Sequence, residues 1–103
     1  MSDATVKIEH QTQDDKGRFV LFEGEANAGK MTYIQHDNKT FTIDHTIVDE
    51  AFGGKGYARK LVQAGVAYAR ESGQKIIPVC SYAKHVLTSD AAYADVLAKP
   101  AAD

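Results

Sequence analysis

The chain has 103 residues, of which 44% are hydrophobic and 25% charged, a composition typical of one globular domain. Twelve basic and 14 acidic side chains give a net charge of −2, so no broad basic surface for nucleic acid is indicated. No apolar run approaches the roughly 20 residues that span a bilayer, and the N-terminus begins no signal peptide, so we expect a cytoplasmic protein without membrane partners.

The first half of the chain is predicted to form an antiparallel meander of four strands. Alternating or β-branched apolar residues, separated by short turn signals, indicate the strands Val6–His10, Arg18–Glu23, Met31–Ile34 and Phe41–Val48. Charged side chains in the first strand favour a position at the edge of the sheet.

A glycine cluster at 53–56 follows the fourth strand and opens a helix. Small and apolar residues recur at helical spacing over Tyr57–Ser72, and Gly73 is placed to end the helix. At such a junction the first backbone N–H groups have no partner inside the helix, and the positive end of its dipole lies there. Since glycines also let main chain approach a bulky anion, the stretch suits phosphate. A tight turn with solvated basic side chains is the alternative.

The rest of the chain is predicted to form a strand and a broken helix. The apolar run Lys75–Cys80 follows a helix, which favours a strand parallel to the fourth one. Pro78 cannot donate to a ladder, so we expect the sheet to be irregular or open there. Residues 82–97 are predicted as helix, interrupted near 88–90, and residues 99–103 as a frayed tail.

This order of strands, glycine loop, helix and apolar strand resembles the GNAT superfamily of acetyl-coenzyme A-dependent N-acetyltransferases. The superfamily's pyrophosphate loop reads Arg/Gln-x-x-Gly-x-Gly/Ala; Gly56 and Ala58 match its last fixed positions, whereas Gly53 stands where Arg or Gln is usual. The chain is most similar to the compact YjdJ-type branch, over about residues 6–98. The segments that carry this resemblance are Asp44–Val48, Gly54–Val62, Tyr68–Arg70, Ile77–Cys80 and Tyr93–Leu97.

The resemblance implies one domain over residues 5–98 with an α+β fold that is α/β in part. The expected sheet is mixed and mostly antiparallel, with one splayed strand pair and two or three helices. Acetyl-coenzyme A is the implied cosubstrate, with its diphosphate on the loop N–H groups and its pantetheine arm between the splayed strands. The residues implied to bind it are Thr46, Ile47, Val48, Gly54, Lys55, Gly56, Tyr57, Ala58, Arg59 and Lys60.

Three side chains are candidates for the catalytic chemistry. Cys80 stands where the compact branch has a cysteine; it either accepts acetyl or protonates the leaving sulfur, or is an inert buried thiol. His45 is either a general base or a hydrogen-bonded sheet residue. Tyr82 either donates to the leaving sulfur or packs against the core. One cysteine and four histidines lack the spacing of metal ligands, so we expect no metal site.

The leading hypothesis is an N-acetyltransferase-like protein that moves acetyl from acetyl-coenzyme A to an unidentified amine, either a small molecule or a protein. The chain has no room for the two N-terminal helices that shape the acceptor pocket in the superfamily. Its acceptor site is therefore open or completed by a partner, and a homodimer is one such arrangement. The alternative is a coenzyme A-binding module or sensor without efficient turnover. A third reading is an unrelated α+β domain whose loop binds another anion.

Overall fold

A computed structural model describes residues 5–37 and 39–98 of the chain. Four strands come first, followed by a short 3-10 turn, a long helix, a fifth strand, a second helix and a second 3-10 segment. Their bounds are β1 (Val6–Gln13), β2 (Lys16–Glu23), β3 (Ala26–Gln35), β4 (Thr40–Val48), Glu50–Phe52, α1 (Tyr57–Ser72), β5 (Lys75–Pro78), α2 (Ser81–Ser89) and Ala91–Val96. The predicted tail at 99–103 lies outside the described residues.

The five strands form one sheet in the order of the sequence. The first four pair antiparallel, and β5 pairs parallel to β4 after the crossover through α1. This confirms the predicted mixed, mostly antiparallel sheet. The third strand is longer than expected and begins at Ala26, because pairing with neighbours on both sides outweighs the weak strand propensity of its alanine- and glycine-containing start.

The core lies between the helices and one face of the sheet. Its fully buried side chains include Leu21, Met31, Phe41, Ile43, Leu61, Ile76 and Leu87. Gly65 lets α1 lie close to β3, since a Cβ at this position would be 2.8 Å from Met31 Cε. Ile47 and Ile77 on the opposite face are 55% and 37% exposed, so the described helices cover only one side of the sheet. We call the uncovered side the open face.

Both helices end where the sequence signals predicted. Gly73 follows α1 in the left-handed conformation, with φ of 70°, and its N–H donates to the carbonyl of Ala69. Asp90 separates α2 from the last 3-10 segment and caps that segment by accepting from the N–H of Ala92 at 2.9 Å. Neither helix in the described part of the chain combines the length and the apolarity needed to cross a membrane.

The pair β4–β5 comes apart half-way along β4. Pairing runs from Thr40 opposite Lys75 to Ile43 opposite Pro78 and stops there. The chain then turns into α2, and the N–H groups of Val79 and Cys80 both donate to the Ile43 carbonyl at 3.0 Å. The second half of β4, from Asp44 to Val48, thus extends past the end of β5. This confirms the predicted splayed pair.

Candidate functional site

The loop between β4 and α1 presents a group of backbone donors. Gly54 and Gly56 adopt left-handed conformations, with φ of 82° and 78°, and Gly56 is the residue that caps α1. Among the described residues, no protein acceptor bonds the N–H groups from Gly54 to Arg59. Glycine has no side chain with which to cap the helix, so these donors are left to solvent or to a ligand.

An anion is the ligand that this loop favours. The exposed N–H groups and the positive end of the α1 dipole act in the same direction at the start of the helix. A Cβ at Gly54 or Gly56 would meet no protein atom within 4 Å, so the protein itself does not occupy the space beside the loop. The geometry therefore leaves room for a phosphate group against the main chain.

The Lys55 side chain fastens the loop to β2. Its Nζ lies 2.8 Å from Glu23 Oε1 and is 5.5 Å from the centre of the Phe52 ring. The hydroxyl of Tyr57 donates to the same carboxylate. The hydrogen bond from Lys55, and then that from Tyr57, lowers the pKa of Glu23, and the bond to Glu23 raises the pKa of Lys55. Lys55 is thus paired with a carboxylate. The alternative interpretation of this stretch, a tight turn with solvated basic side chains, therefore does not hold for Lys55.

Arg59 and Lys60 are the other basic side chains of the loop. Both are exposed in the first turn of α1, and neither forms an ion pair with a carboxylate in the described part of the chain. Of the loop's predicted phosphate-binding cations, these two are the ones placed to meet an anion without breaking another contact.

Thr46, Ile47 and Val48 lie on the part of β4 that β5 leaves unpaired. Thr46 is opposite the buried Met31 in the register, so it lies on the helix-covered face, and Ile47 lies on the open face. The hydroxyl oxygen of Thr46 is buried and has no hydrogen-bond partner among the described residues. An orphaned hydroxyl of this kind is one that a bound group or a neighbouring thiol can satisfy.

Cys80 lies across the opening from Thr46, at the N-cap of α2, and is half-buried. Burial raises the pKa of its thiol, but the Thr46 hydroxyl and the backbone N–H groups of Ala83 and Tyr82 together outweigh burial and lower that pKa. The site favours a thiolate more than solvent does.

The structure does not bring His45 to this thiol. His45 is exposed on the open face, since it neighbours Thr46 in the strand and pairs with Thr32. Tyr82 lies in the first turn of α2, two residues after Cys80, with 36% of its surface exposed. Their catalytic roles stay predictions. No group of three or more His, Cys, Asp or Glu side chains within the described residues is arranged to hold a metal.

Two residues of the site were missed by sequence reasoning. Glu23 holds Lys55 and Tyr57 from 32 and 34 residues away in the chain, and no local pattern indicates such a contact. Asp44 is the extra residue of a β-bulge in β4 and accepts a hydrogen bond from the Thr32 hydroxyl at 2.6 Å. A carboxylate in a strand whose other residues, apart from His45, are apolar or β-branched is the signal that could have indicated it.

Residues 18–96 match the sequence profile described as GCN5-related N-acetyl-transferase. A candidate GCN5-like N-acetyltransferase from Staphylococcus aureus is 37% identical, with a TM-score of 0.68 over 97% of this chain and 93% of that chain. No curated protein shows significant similarity to the sequence.

Two more distant structures share the fold. A GNAT family acetyltransferase from Elizabethkingia anophelis with acetyl-CoA bound is 13% identical, with a TM-score of 0.62 over 71% of this chain. An acetyltransferase from Bacillus subtilis in complex with CoA is 17% identical, with a TM-score of 0.60 over 70% of this chain. The chain covers 63% of each of these two proteins.

Proposed function

Because the chain belongs to the GCN5-related N-acetyltransferase family, we propose that residues 5–98 form a domain that binds acetyl-coenzyme A and transfers its acetyl group to an amine. The ligands of the E. anophelis and B. subtilis structures, acetyl-CoA and CoA, support this cosubstrate. The S. aureus relative has a similar extent, which supports the predicted compact YjdJ-type branch. We further propose that the protein acts in the cytoplasm.

The observation that carries the proposal is that the donor-rich loop and the opening between β4 and β5 adjoin one another. In our proposal the diphosphate accepts from the N–H groups between Gly54 and Arg59. The pantetheine arm then pairs with the main chain of β4 at Thr46–Val48, which β5 leaves unpaired. Arg59 and Lys60 face the phosphates, and the thioester reaches the Cys80 thiol.

Cys80 serves best as a transient acetyl carrier in this arrangement. Its thiolate attacks the acetyl carbon, the bond from that carbon to the coenzyme sulfur breaks, and the released coenzyme thiolate takes up a proton. A neutral amine then attacks the cysteine thioester, loses its extra proton to water and frees the cysteine. The lowered pKa of Cys80 supports this role, because a thiolate is the nucleophilic form.

A coenzyme A-binding module without efficient turnover is the second candidate. The observation that favours it is the position of His45, which is exposed on the open face and does not reach the Cys80 side of β4. A domain without a placed general base binds the coenzyme and transfers acetyl slowly.

An NMR titration with acetyl-coenzyme A tests the site. We expect the amide signals of 46–48 and 54–59 to shift, and Arg59→Glu to weaken binding about tenfold, since reversing an exposed charge changes the interaction by about 1–2 kcal/mol. A glutamate in the first turn stabilises a helix, so unfolding would not explain the loss. Lys39→Glu is the matched control, because Lys39 is exposed in the turn before β4, at the far end of that strand from the loop.

Two outcomes would contradict the proposal. One is the absence of amide shifts at saturating coenzyme, and the other is an equal loss of affinity in both charge-reversal variants. Release of free coenzyme A over a panel of amines then separates the two candidates. An enzyme releases it in proportion to the amine, whereas a binding module does so at the rate of spontaneous hydrolysis.

A further inference from the structure

The open face carries a cavity of about 500 Å³ that spans β1 to β4. We call it the open-face cavity. Its polar side chains come from all four strands and include Gln11, Gln13, Lys16, Arg18, Thr32 and Asp44. A carboxylate lies at the β4 end of this set, and two cations lie on β2. The cavity therefore has opposite charges at its two ends.

The carboxylate end adjoins the opening between β4 and β5. Asp44 is the first residue of β4 beyond the last pair with β5, which is Ile43 with Pro78. Its Oδ1 accepts from the Thr32 hydroxyl at 2.6 Å, and its second oxygen accepts no hydrogen bond from the described residues. The N–H of Cys80 donates to the carbonyl of Ile43, the residue before Asp44, at 3.0 Å. Asp44 therefore lies at the edge of the opening, where its second oxygen can accept from an ammonium group.

The cationic end is formed by Arg18 and Lys16, which are both exposed. Arg18 uses its Nε to donate to Gln11 at 2.7 Å, and neither cation pairs with a carboxylate within the described residues. The terminal nitrogens of Arg18 therefore remain available as a fork for a carboxylate or phosphate.

The register sets the distance between the two ends. Arg18 pairs with Thr32, and Thr32 pairs with His45, the residue after Asp44. Two strand spacings of about 4.8 Å put the main chains of Arg18 and Asp44 about 10 Å apart. Side chains that reach into the cavity shorten this, so a bound molecule would carry its charges about 5–10 Å apart.

We propose that the open-face cavity binds the acetyl acceptor, and that this acceptor is a primary amine with an anionic group at its other end. The proposal rests on the proposed function, since it takes the thioester to lie in the opening beside Asp44. Asp44 holds the ammonium, and Arg18 and Lys16 hold the anionic group. A second amine in place of the anion would meet two like charges, so diamines are disfavoured. The amine gives one proton to water before it attacks the acetyl carbon.

Three probes of one chain length test the acceptor class. 6-Aminohexanoate has an amine and a carboxylate, hexylamine has the amine alone, and hexane-1,6-diamine has two amines. With coenzyme A present, we expect 6-aminohexanoate to bind at least tenfold more tightly than hexylamine, and the diamine to bind most weakly. Amide shifts should fall on residues 11–18, 32 and 44. Equal affinities for the three probes, or shifts elsewhere, would overturn the proposal.

Variants assign the two ends of the cavity. Arg18→Gln should remove the advantage of 6-aminohexanoate and leave hexylamine binding unchanged, whereas Asp44→Asn should weaken all three amines. Lys39→Gln removes an exposed cation outside the cavity and should change none of them. In turnover, Arg18→Gln should raise the KM for 6-aminohexanoate and keep kcat. If Arg18→Gln still prefers 6-aminohexanoate over hexylamine, the proposal is contradicted. Arg18 is exposed, so this variant should fold, and the test remains valid even if Asp44→Asn does not fold.

The titrations also separate this proposal from the proposed function. If coenzyme A binds at the loop and none of the three amines binds the cavity, the acceptor site is wrong and the coenzyme site stands. If acetyl-coenzyme A itself does not bind, the proposed function fails, and with it the role of the cavity in acetyl transfer.

Discussion

The two glycines that flank α1 allow a matched test of the coenzyme loop. Gly56 before the helix has φ and ψ of 78° and 18°, and Gly73 after it has 70° and 29°. A Cβ at either position would meet nothing within 4 Å. Gly56→Ala and Gly73→Ala therefore introduce the same backbone strain without a steric clash inside the protein. Only Gly56 lies where the diphosphate is proposed to bind.

The expected loss of stability is the same for both variants. A left-handed conformation costs alanine about 1–2 kcal/mol, and the smaller entropy of the unfolded chain returns about 0.4–1 kcal/mol. The net loss is about 1 kcal/mol, which lowers Tm by about 4–8 °C in a domain of this size. Without ligand, the two variants should therefore unfold at similar temperatures, below the wild type.

Thermal unfolding with coenzyme A then separates the two positions. A ligand at 100 times its Kd stabilises the folded state by about 2.7 kcal/mol, which raises Tm by about 11–22 °C. Gly73→Ala should keep this increase. In Gly56→Ala the new methyl group occupies the space beside the loop, and a hundredfold loss of affinity would reduce the stabilisation to about 0.4 kcal/mol.

Either of two results would refute this reasoning. If both variants keep the full ligand-induced increase in Tm, the start of α1 does not bind the diphosphate. If their melting temperatures without ligand differ widely, the equal-strain argument is wrong, and Gly56→Ala no longer reports on binding alone.

Three further predictions follow from contacts around the site. Thr46→Val should raise the pH midpoint for alkylation of Cys80, because the hydroxyl lowers the thiol pKa, and Thr46→Ser should restore it; an unmoved midpoint contradicts the contact. Glu23→Gln should free Lys55 and strengthen coenzyme A binding a few-fold by calorimetry. The stability from this pair is present above about pH 4.3 and is lost as pH falls through the lowered carboxyl pKa, so Tm should depend less on acid pH in the variant. Gly17→Ala should lower the free energy of unfolding in urea by about 1–3 kcal/mol, since its Cβ would lie 2.2 Å from a buried tyrosine ring; wild-type stability would show that the ring moves freely.

Local patterns were enough to predict the elements whose ends carry specific residues. The helix α1 begins and ends where its apolar stripe meets glycines, so its bounds match the prediction. The start of β3 could not be predicted in this way, because its residues Ala26–Lys30 become strand through pairing with both neighbours. Propensity describes a segment by itself, whereas this strand is determined by the sheet around it.

In the candidate site, too, features set by local sequence were predictable, whereas contacts between residues distant in the chain were not. Exposed N–H groups at the glycine loop follow from the order strand, glycine, helix, and the structure has them. The pairing of Lys55 with Glu23 joins residues 32 positions apart, so no local pattern could distinguish Lys55 from a solvated cation. The Thr46 hydroxyl near Cys80 likewise depends on how α2 leaves the sheet, which no local pattern indicates.

The opening between β4 and β5 shows how one sequence signal can be right for an incomplete reason. Pro78 predicted an open sheet because it lacks an N–H, and pairing does stop at this residue. Two further features hold the strands apart. Val79 and Cys80 both donate to the Ile43 carbonyl, which turns the chain away into α2, and the bulge at Asp44 redirects the facing strand at the same level. A variant with valine at position 78 would restore one donor and leave both features in place, so we expect the opening, and coenzyme A binding with it, to persist in Pro78→Val.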